Sequence, residues 1–438
     1  MNPAANISLV KASRPALERI WPLSAVGLFL PSVFFLAFAA RLGVRLYFGE
    51  EYFWRNSYSL FYQIAERLAA VHELSYEWLG TKYAHRPPVY PALLAATTVI
   101  FGKSYIAIVV LQSLIGAGTV LCAYFIGKEL FNKNVGRLAA IGVAFYPYFV
   151  MHDTALQETG VFTFLTALSI LLLLKSRQSN TIAAAAGVAL GLAILTRATL
   201  IGFVPLALLW VLWLSDRVGG QVLKRTAAVS IGLMFVITPW LVRNYVRIGT
   251  PTISTLSGLT LWAGNNPHTF SNYPNQSIDR SVNTAWRELS PEEDAAIQQL
   301  SIDEVRQNAW FIDKALDYIR QHPQETAVRA FRKVAAGFSW TLNPRRERFV
   351  QVVYFLSYVP VLLMAIAGAW LARRRWRDYG LIAGLFLSFI IVTAIFFAHT
   401  SHRVFLDVYL IIFAAYAFHR IVQRYGGRGE AACESLNA

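Results

Sequence analysis

Ionisable side chains collect beside the ends of long apolar runs in this sequence, where charge is costly. Polar groups beside a bilayer are unfavourable unless they face water, a partner or a substrate. These residues are Glu50, Glu51, His85, Arg86, His152, Asp153, Glu158, Arg197, Arg243, His399, His402 and Arg403. The set combines carboxylates, which can accept a proton, with arginines, whose planar fork stays charged and suits a phosphate. This combination fits the handling of a lipid-linked phosphate.

Each of these side chains also has a purely structural interpretation. An arginine at the end of a membrane helix commonly extends its head group to the interface. Glu50 and Glu51 are equally compatible with a solvated loop, and neutral histidine is common at an interface. Glu158 is harder to explain in this way, because a carboxylate there enters an apolar run. The functional interpretation therefore rests on the whole set rather than on any one residue.

Apolar runs that can cross a bilayer must position this set. The chain has 438 residues, of which 56% are hydrophobic and only 15% are charged, an apolar share above that of soluble globular chains. We predict an all-α polytopic membrane protein with about ten transmembrane helices, although several runs are shorter than the ~20 residues of an ideal span. The predicted spans are 23–46, 105–126, 138–150, 159–174, 182–195, 198–214, 227–241, 350–371, 381–398 and 404–418.

The formal net charge of +15 is carried largely by the short connections between these runs. The basic residues do not follow one helical face among aromatic residues, so they do not indicate a nucleic-acid partner. With ten alternating spans they share one side, which predicts that both termini are cytoplasmic and that the ionisable set is extracytoplasmic. The basic connections contain Lys11, Arg14, Arg19, Lys128, Lys133, Arg137, Lys175, Arg177, Arg217, Lys224, Arg225, Arg373, Arg374, Arg375, Arg377, Arg420, Arg424 and Arg428.

The runs divide the chain into three parts. They are an N-terminal transmembrane module at 1–245 with a first outer loop at 47–88, an extracytoplasmic helical loop at 246–349, and C-terminal transmembrane helices with a cytoplasmic tail at 350–438. In the middle part, Ser290, Pro291 and Glu293 predict a helix start, and apolar residues continue at helical spacing to His322. A second amphipathic helix at 324–338 is predicted to lie on the membrane, and the run at 89–101 to insert only halfway.

Six short motifs occur in a characteristic order along nearly the whole chain. They are Tyr-Gln-Ile-Ala-Glu-Arg-Leu at 62–68, His-Arg-Pro-Pro-Val-Tyr-Pro at 85–91, Leu-Thr-Arg at 195–197, Pro-Trp-Leu-Val-Arg-Asn-Tyr at 239–245, Trp-Ala-Gly-Asn-Asn-Pro at 262–267 and His-Arg-Val-Phe at 402–405. In these motifs the chain resembles the polytopic glycosyltransferases of the C-type fold that use polyprenyl-phosphate sugars, a group containing the protein O-mannosyltransferases and the lipid A aminoarabinose transferase. The resemblance implies a membrane helix bundle that transfers one sugar from a lipid monophosphate to an acceptor, with inversion at the anomeric carbon.

The resemblance also implies roles for particular residues. Family members carry a catalytic acid in the first outer loop, shortly before the tyrosine that Tyr62 matches, whereas 54–61 contains no carboxylate here. Glu51, or alternatively Glu50, would then deprotonate the acceptor hydroxyl. Glu158 matches the second acidic position of the family and would position the acceptor or a divalent ion. The substrate-binding residues would be Arg86, Arg197, Arg243, Arg403, His402 and Asp153.

The expected partners are a polyprenyl-phosphate sugar donor, membrane lipid and an acceptor of the cell envelope, in the inner membrane of a bacterium. An acidic pair suits a hard divalent metal, but no ligand spacing defines a metal or other cofactor site, and Cys122 and Cys433 have no neighbour at metal spacing. Two other classes stay open. A non-catalytic envelope assembly partner fits the missing first-loop acid, and a polytopic lipid or solute transporter would carry ionisable residues at mid-membrane depth.

Overall fold

The computed structural model describes residues 26–56, 58–213 and 219–436. The start of the first predicted span at residue 23 and the basic residues Lys11, Arg14, Arg19 and Arg217 lie outside the described residues. The first half of the chain forms α1 (Val26–Arg55), α2 (Ser59–Val71), β1 (Tyr76–Glu77), β2 (Thr81–Lys82), α3 (Val89–Phe101), α4 (Tyr105–Leu130), α5 (Lys133–Phe145), α6 (Pro147–Asp153), α7 (Thr159–Lys175), α8 (Asn180–Ile194), a 3₁₀ helix (Ala198–Phe203), α9 (Val204–Trp213) and α10 (Gly220–Ile248).

The second half begins with the segment 246–349, called the third loop below, and returns to the bundle. Its elements are α11 (Ser257–Gly264), a 3₁₀ turn (Ile278–Arg280), α12 (Ser281–Arg287), α13 (Pro291–Gln299), a 3₁₀ turn (Leu300–Ile302), α14 (Glu304–Gln321), α15 (Pro323–Gly337), α16 (Arg348–Ala372), a 3₁₀ turn (Arg373–Arg375), α17 (Trp376–Ile395) and α18 (Thr400–Leu436). The one departure from an all-α chain in the described ranges is the antiparallel hairpin β1–β2, in which Tyr76 pairs with Lys82.

Five helical segments of the described chain are long and apolar enough to cross a membrane. They are Gly27–Arg55, Tyr105–Leu130, Gly220–Ile248, Arg348–Ile395 and Thr400–Arg424. The fourth contains both α16 and α17, and shorter apolar helices stand at Val89–Phe101, Thr159–Lys175, Asn180–Ile194 and Ala198–Trp213. The all-α polytopic prediction is therefore confirmed, whereas about ten spans stays a prediction. The helix at Val89–Phe101 has only 13 residues, too few to cross the hydrocarbon core unaided.

Close helix contacts hold the bundle together without a hydrophobic driving force between helices. Helices α8 and α10 approach at glycines: a Cβ added at Gly187 would lie 2.0 Å from the carbonyl oxygen of Val229, and one at Gly232 would lie 2.1 Å from that of Ala184. Helix α18 lies at the centre of the bundle. Of an 18-residue apolar stretch of α18, 78% is buried, against 17% of the corresponding stretch of α1. The central position of α18 brings residues near 400 into contact with the N-terminal half of the chain.

Gly49 divides α1 into a membrane part and an outer continuation. Its φ of 77° interrupts the helical backbone, a conformation that glycine adopts at little cost. The residues after it, including Glu50 and Glu51, therefore follow a new direction at the end of the span.

The third loop packs around a small apolar core of its own. Trp262, Ala285, Ile297, Phe311 and Ala315 form this cluster. The predicted helix start is confirmed as a capping box between Ser290 and Glu293. The prediction of one helix continuing to His322 is wrong, because the 3₁₀ turn at Leu300–Ile302 ends the first helix. Asp303 then caps α14 by accepting hydrogen bonds from the N–H groups of Val305 and Arg306.

Candidate functional site

Glu158 and Arg197 form an ion pair where α7 and the helix Ala198–Phe203 begin. Arg197 donates from Nη2 to Glu158 Oε1 at 2.8 Å and to Thr159 Oγ1 at 3.2 Å. Its guanidinium also lies over the Phe162 ring, 4.8 Å from the centroid. Both side chains of the pair are 15% exposed. Burial alone would raise the pKa of Glu158, but Arg197 and Arg86 together lower it, so Glu158 is an anion at neutral pH.

Arg86 brings a second cation to the same place. It lies between the β hairpin and α3, and its guanidinium is 5.4 Å from the centroid of the Phe61 ring. Its Nε is buried without a hydrogen-bond partner, and no carboxylate of the described chain forms a salt bridge with it. Because an unpaired guanidinium keeps its hydrogen-bonding fork free, Arg86 is suited to an external anion.

Three histidines border this pair of arginines. The rings of His399 and His402 lie 3.9 Å apart, and His152 Nδ1 is 2.5 Å from Gln157 Nε2. Burial, His399, Arg346 and Arg197 lower the pKa of His152 to about 3. Burial also lowers the pKa of His399, although Asp279 opposes that effect. These two imidazoles are therefore neutral at physiological pH.

Tyr58 and Asp279 belong to the same neighbourhood, and sequence reasoning missed both. Burial raises the pKa of the Tyr58 hydroxyl, as do the charges of Asp279 and Glu158, whereas Arg86 and Arg197 lower it. Asp279 comes from the 3₁₀ turn Ile278–Arg280 of the third loop, far from the other residues in sequence. No motif marks Asp279, because its position depends on how the third loop docks.

Glu50 and Glu51 stand apart from this cluster in the described structure. Glu51 is 75% exposed and pairs with Arg55 at 2.9 Å. Glu50 accepts a hydrogen bond from Trp54 Nε1 at 3.0 Å. Both contacts are with a residue one turn later in the same helix, and no described hydrogen bond or salt bridge joins either glutamate to Glu158, Arg197 or Arg86.

Asp153 faces the interior of the bundle rather than a substrate. Its side chain is 1% exposed, and its Oδ2 accepts a hydrogen bond from Arg41 Nε at 2.8 Å. Arg41 Nη1 also donates to the carbonyl oxygen of Ala144 at 3.0 Å. A Cβ added at Gly116 would lie 2.6 Å from both Arg41 Nε and Asp153 Oδ2. The expectation that Asp153 binds substrate does not fit this placement, because Arg41 and close packing already enclose its carboxylate.

Arg403 is likewise enclosed. Arg403 and Asp407 are both fully buried, and Arg403 Nη1 is 3.1 Å from Asp407 Oδ1. The guanidinium carbon of Arg403 lies 3.7 Å from the centroid of the Tyr358 ring. Its Nη2 donates to the Tyr354 hydroxyl at 3.0 Å. The expected phosphate contact does not fit, because a phosphate would have to displace Asp407, which already balances this buried charge.

Arg243 fastens the first outer loop to the bundle. It donates to the carbonyl oxygens of Tyr83 at 2.7 Å and Leu74 at 2.9 Å. Glu304 of α14 accepts hydrogen bonds from the N–H groups of Tyr83 and Ala84 at 2.9 and 3.1 Å. Arg243 therefore positions the segment that carries Arg86, whereas its direct contact with a substrate stays a prediction.

The Gly-Asn-Asn-Pro motif at 264–267 is a docking point for α15 and α17. Lys333 is fully buried, and its Nζ donates to the oxygens of Gly264 at 3.3 Å, Asn265 Oδ1 at 3.2 Å and Ile395 at 3.0 Å. Asn266 Nδ2 donates back to the carbonyl oxygen of Trp262 at 2.7 Å. The motif thus fixes the third loop against the end of α17, close to His399.

Replacing Lys333 with methionine is expected to lower the thermal unfolding temperature of the detergent-solubilised protein. The change removes the donor to the Gly264 and Asn265 oxygens, whose contacts with Lys333 are buried, and each buried oxygen left unsatisfied costs about 1–3 kcal/mol. Lys224→Met, at an exposed lysine of α10, is the matched control and should unfold as the wild type does. Equal unfolding temperatures for both variants would show that the Lys333 contacts do not stabilise the loop.

Within the described ranges, no three His, Cys, Asp or Glu residues lie close enough together to hold a metal ion. Glu158, the residue expected to bind an acceptor or a divalent ion, has its Oε1 committed to Arg197. Three of the predicted site residues, Arg86, Glu158 and Arg197, are brought together, with His402 beside them.

A family model matches part of the chain. Residues 85–242, which contain Arg86, Glu158 and Arg197, match the family model described as dolichyl-phosphate-mannose-protein mannosyltransferase. No curated protein matches the chain.

Among solved structures, the chain is similar to archaeal oligosaccharyltransferase AglB from Archaeoglobus fulgidus in complex with an inhibitory peptide and a dolichol-phosphate. The identity is 15% and the TM-score 0.53, over 94% of this chain and 52% of that one. The same oligosaccharyltransferase tethered to an acceptor peptide matches at 13% identity and a TM-score of 0.52, over 91% and 50%. ArnT from Cupriavidus metallidurans bound to undecaprenyl phosphate matches at 15% identity and a TM-score of 0.38, over 91% and 78%.

The chain spans about half the length of the oligosaccharyltransferase structures that it matches. The chain therefore shares the fold of these oligosaccharyltransferase structures, and its residues 85–242 match the mannosyltransferase family model.

Proposed function

We propose that this protein is a membrane glycosyltransferase that moves a sugar from a polyprenyl-phosphate donor to an envelope lipid, glycan or protein acceptor. The observation that carries the proposal is the unpaired guanidinium of Arg86 beside the Glu158–Arg197 pair. The family model that covers these residues is named for a dolichyl-phosphate sugar, and the AglB structure contains a dolichol-phosphate. Both names support a lipid-phosphate donor here.

In the proposed reaction, Arg86 and Arg197 bind the donor phosphate and stabilise the negative charge that grows on it as the sugar leaves. Glu158 orients Arg197 and offsets part of the positive charge of the two arginines. The neutral imidazole of His399 offers a hydrogen bond to the sugar or the phosphate without adding charge, and His402 lies beside it. Attack by the acceptor hydroxyl from the opposite side of the anomeric carbon inverts its configuration.

We further propose that the protein is a multi-pass protein of the bacterial inner membrane with cytoplasmic termini. Arg373–Arg375 joins α16 to α17 at the end of the bundle opposite to His399, which follows α17. Because short cytoplasmic connections are enriched in lysine and arginine, this turn supports a cytoplasmic position for itself and an extracytoplasmic position for the site.

The proposal is tested with purified full-length protein in liposomes that contain membrane extract as a source of acceptor. A panel of radiolabelled polyprenyl-phosphate sugars is supplied, and label incorporated into lipid, glycan and protein fractions is measured for the wild type and for Glu158→Gln. Transfer by the wild type that falls strongly in the variant supports the enzyme. Transfer from no donor, with purified acceptor fractions present, would count against it and favour a non-catalytic assembly role.

A further inference from the structure

A glycosyl transfer to a hydroxyl needs a carboxylate that is free to take the proton of that hydroxyl. The two glutamates expected to act as the base have other partners: Glu51 is exposed and pairs with Arg55, and Glu50 accepts a hydrogen bond from Trp54. Glu158 is bound to Arg197. The cluster described above therefore has two arginines for the phosphate but no evident base among these three residues.

Asp279 enters the same cluster from the third loop. One neighbour in sequence, Ile278, is fully buried, and Ser281 is fully buried on the other side, with its hydroxyl donating to the carbonyl oxygen of Ala263 at 3.1 Å. These two anchors fix the 3₁₀ turn between them. Asp279 Oδ1 is shielded from solvent and has no hydrogen-bond partner. An unsatisfied buried oxygen is costly and points to a missing partner.

Tyr58 links Asp279 to the arginines. The backbone N–H of Tyr58 donates to the carbonyl oxygen of Leu156 at 3.3 Å. Tyr58 therefore contacts the chain two residues before Glu158. Its hydroxyl experiences the charges of Asp279 and Glu158 on the acidic side, and of Arg86 and Arg197 on the basic side. Tyr58 also belongs to 54–61, the segment in which no carboxylate occurs. The carboxylate absent from 54–61 is thus matched by one from the third loop.

We propose that Asp279 is the catalytic base of the transfer, an inference that rests on the proposed glycosyltransferase function. The Asp279 carboxylate takes the proton of the acceptor hydroxyl as the hydroxyl oxygen bonds to the anomeric carbon of the donor sugar. The bond between that carbon and the phosphate oxygen breaks, and its electron pair stays on the phosphate. Arg86 and Arg197 stabilise the resulting polyprenyl phosphate, and the proton leaves Asp279 to water after the glycoside departs.

The test compares Asp279→Asn and Asp279→Glu with the wild type in the liposome transfer assay. Loss of the base is expected to lower kcat about 100-fold or more, while donor KM and the binding of undecaprenyl phosphate stay unchanged. Asp279→Glu keeps a carboxylate and should retain part of the rate. Asp313→Asn, at an exposed aspartate of α14 in the same loop, is the matched control with wild-type transfer.

Several outcomes would overturn the assignment. Transfer by Asp279→Asn within about threefold of the wild type, or a loss confined to Glu51→Gln or Glu50→Gln, would move the base to another carboxylate. Loss of undecaprenyl phosphate binding by Asp279→Asn would give Asp279 a structural or donor-binding role instead. A wild type that transfers from no donor would overturn the proposed function and this assignment with it. That outcome differs from a misplaced base, for which both the wild type and Asp279→Asn transfer sugar.

Discussion

Arg86→Ala is expected to weaken polyprenyl phosphate binding and sugar transfer strongly while leaving the fold intact. The Arg86 guanidinium makes no described hydrogen bond or salt bridge, so its removal costs the protein little stability. A hydrogen bond to a charged group contributes about 1.5–3 kcal/mol, so the loss of one phosphate contact weakens binding ~10- to 150-fold, and the loss of a bidentate pair weakens it more.

The measurement is undecaprenyl phosphate binding by native mass spectrometry, with the thermal unfolding temperature recorded in parallel. Arg86→Lys keeps the charge but loses the planar fork, so its affinity should be intermediate. Arg320→Ala removes an exposed arginine that pairs only with Asp317 on the same helix, and serves as the matched control. Unchanged binding by Arg86→Ala, or a large fall in unfolding temperature, would show that Arg86 has a structural role.

Glu158→Ala is expected to reduce both stability and transfer, because it leaves Arg197 in a largely buried site without its partner. Breaking a buried ion pair by removing one member costs about 3–5 kcal/mol, and the 15% exposure of this pair places the expected cost toward the lower end. The double variant Glu158→Ala/Arg197→Ala should be less unstable than the two single effects summed, because the uncompensated charge is gone.

The contribution of this pair to stability should depend on pH in a defined direction. The folded-state pKa of Glu158 lies below its ordinary value of 4.5. A lowered carboxyl pKa means that the stabilisation is complete above the ordinary value and is lost as the pH falls through the folded value. Unfolding temperatures of wild type and Glu158→Gln should therefore converge at acidic pH and differ at neutral pH. A constant difference across that range would contradict the ion pair.

Two charged pairs inside the bundle explain why two predicted site residues, Asp153 and Arg403, are enclosed by protein. Arg41 with Asp153, and Arg403 with Asp407, each place a cation and an anion in contact at positions that are at most 1% exposed. Such pairs are costly to break because one partner would remain charged and buried. The sequence marks Asp153 and Arg403 as ionisable residues near span ends, but it does not show that each has an internal partner.

Local features of the chain were readable from the sequence because they depend on neighbouring residues. Long apolar runs determine membrane helices through the thickness of the bilayer, and Ser290 with Glu293 determines a helix start through hydrogen bonds across three residues. The motifs around Arg86 and Arg197 also identified the two cations that the fold brings to one place. Glu158 and Arg197 are 39 residues apart in sequence. The two apolar runs between them already predict a helical hairpin that brings its ends together.

The tertiary structure alone decided which polar groups meet across long separations. Arg41 reaches Asp153 over 112 residues and Lys82 reaches Ser301 over 219 residues, and no local pattern encodes such pairs. The same holds for Asp279, whose position depends on how Lys333 and the motif at 264–267 dock the third loop against α17. The sequence by itself determined the membrane helices and the cations available for a phosphate, whereas packing of the loops onto the bundle decided which arginines stay free and which carboxylate lies opposite them.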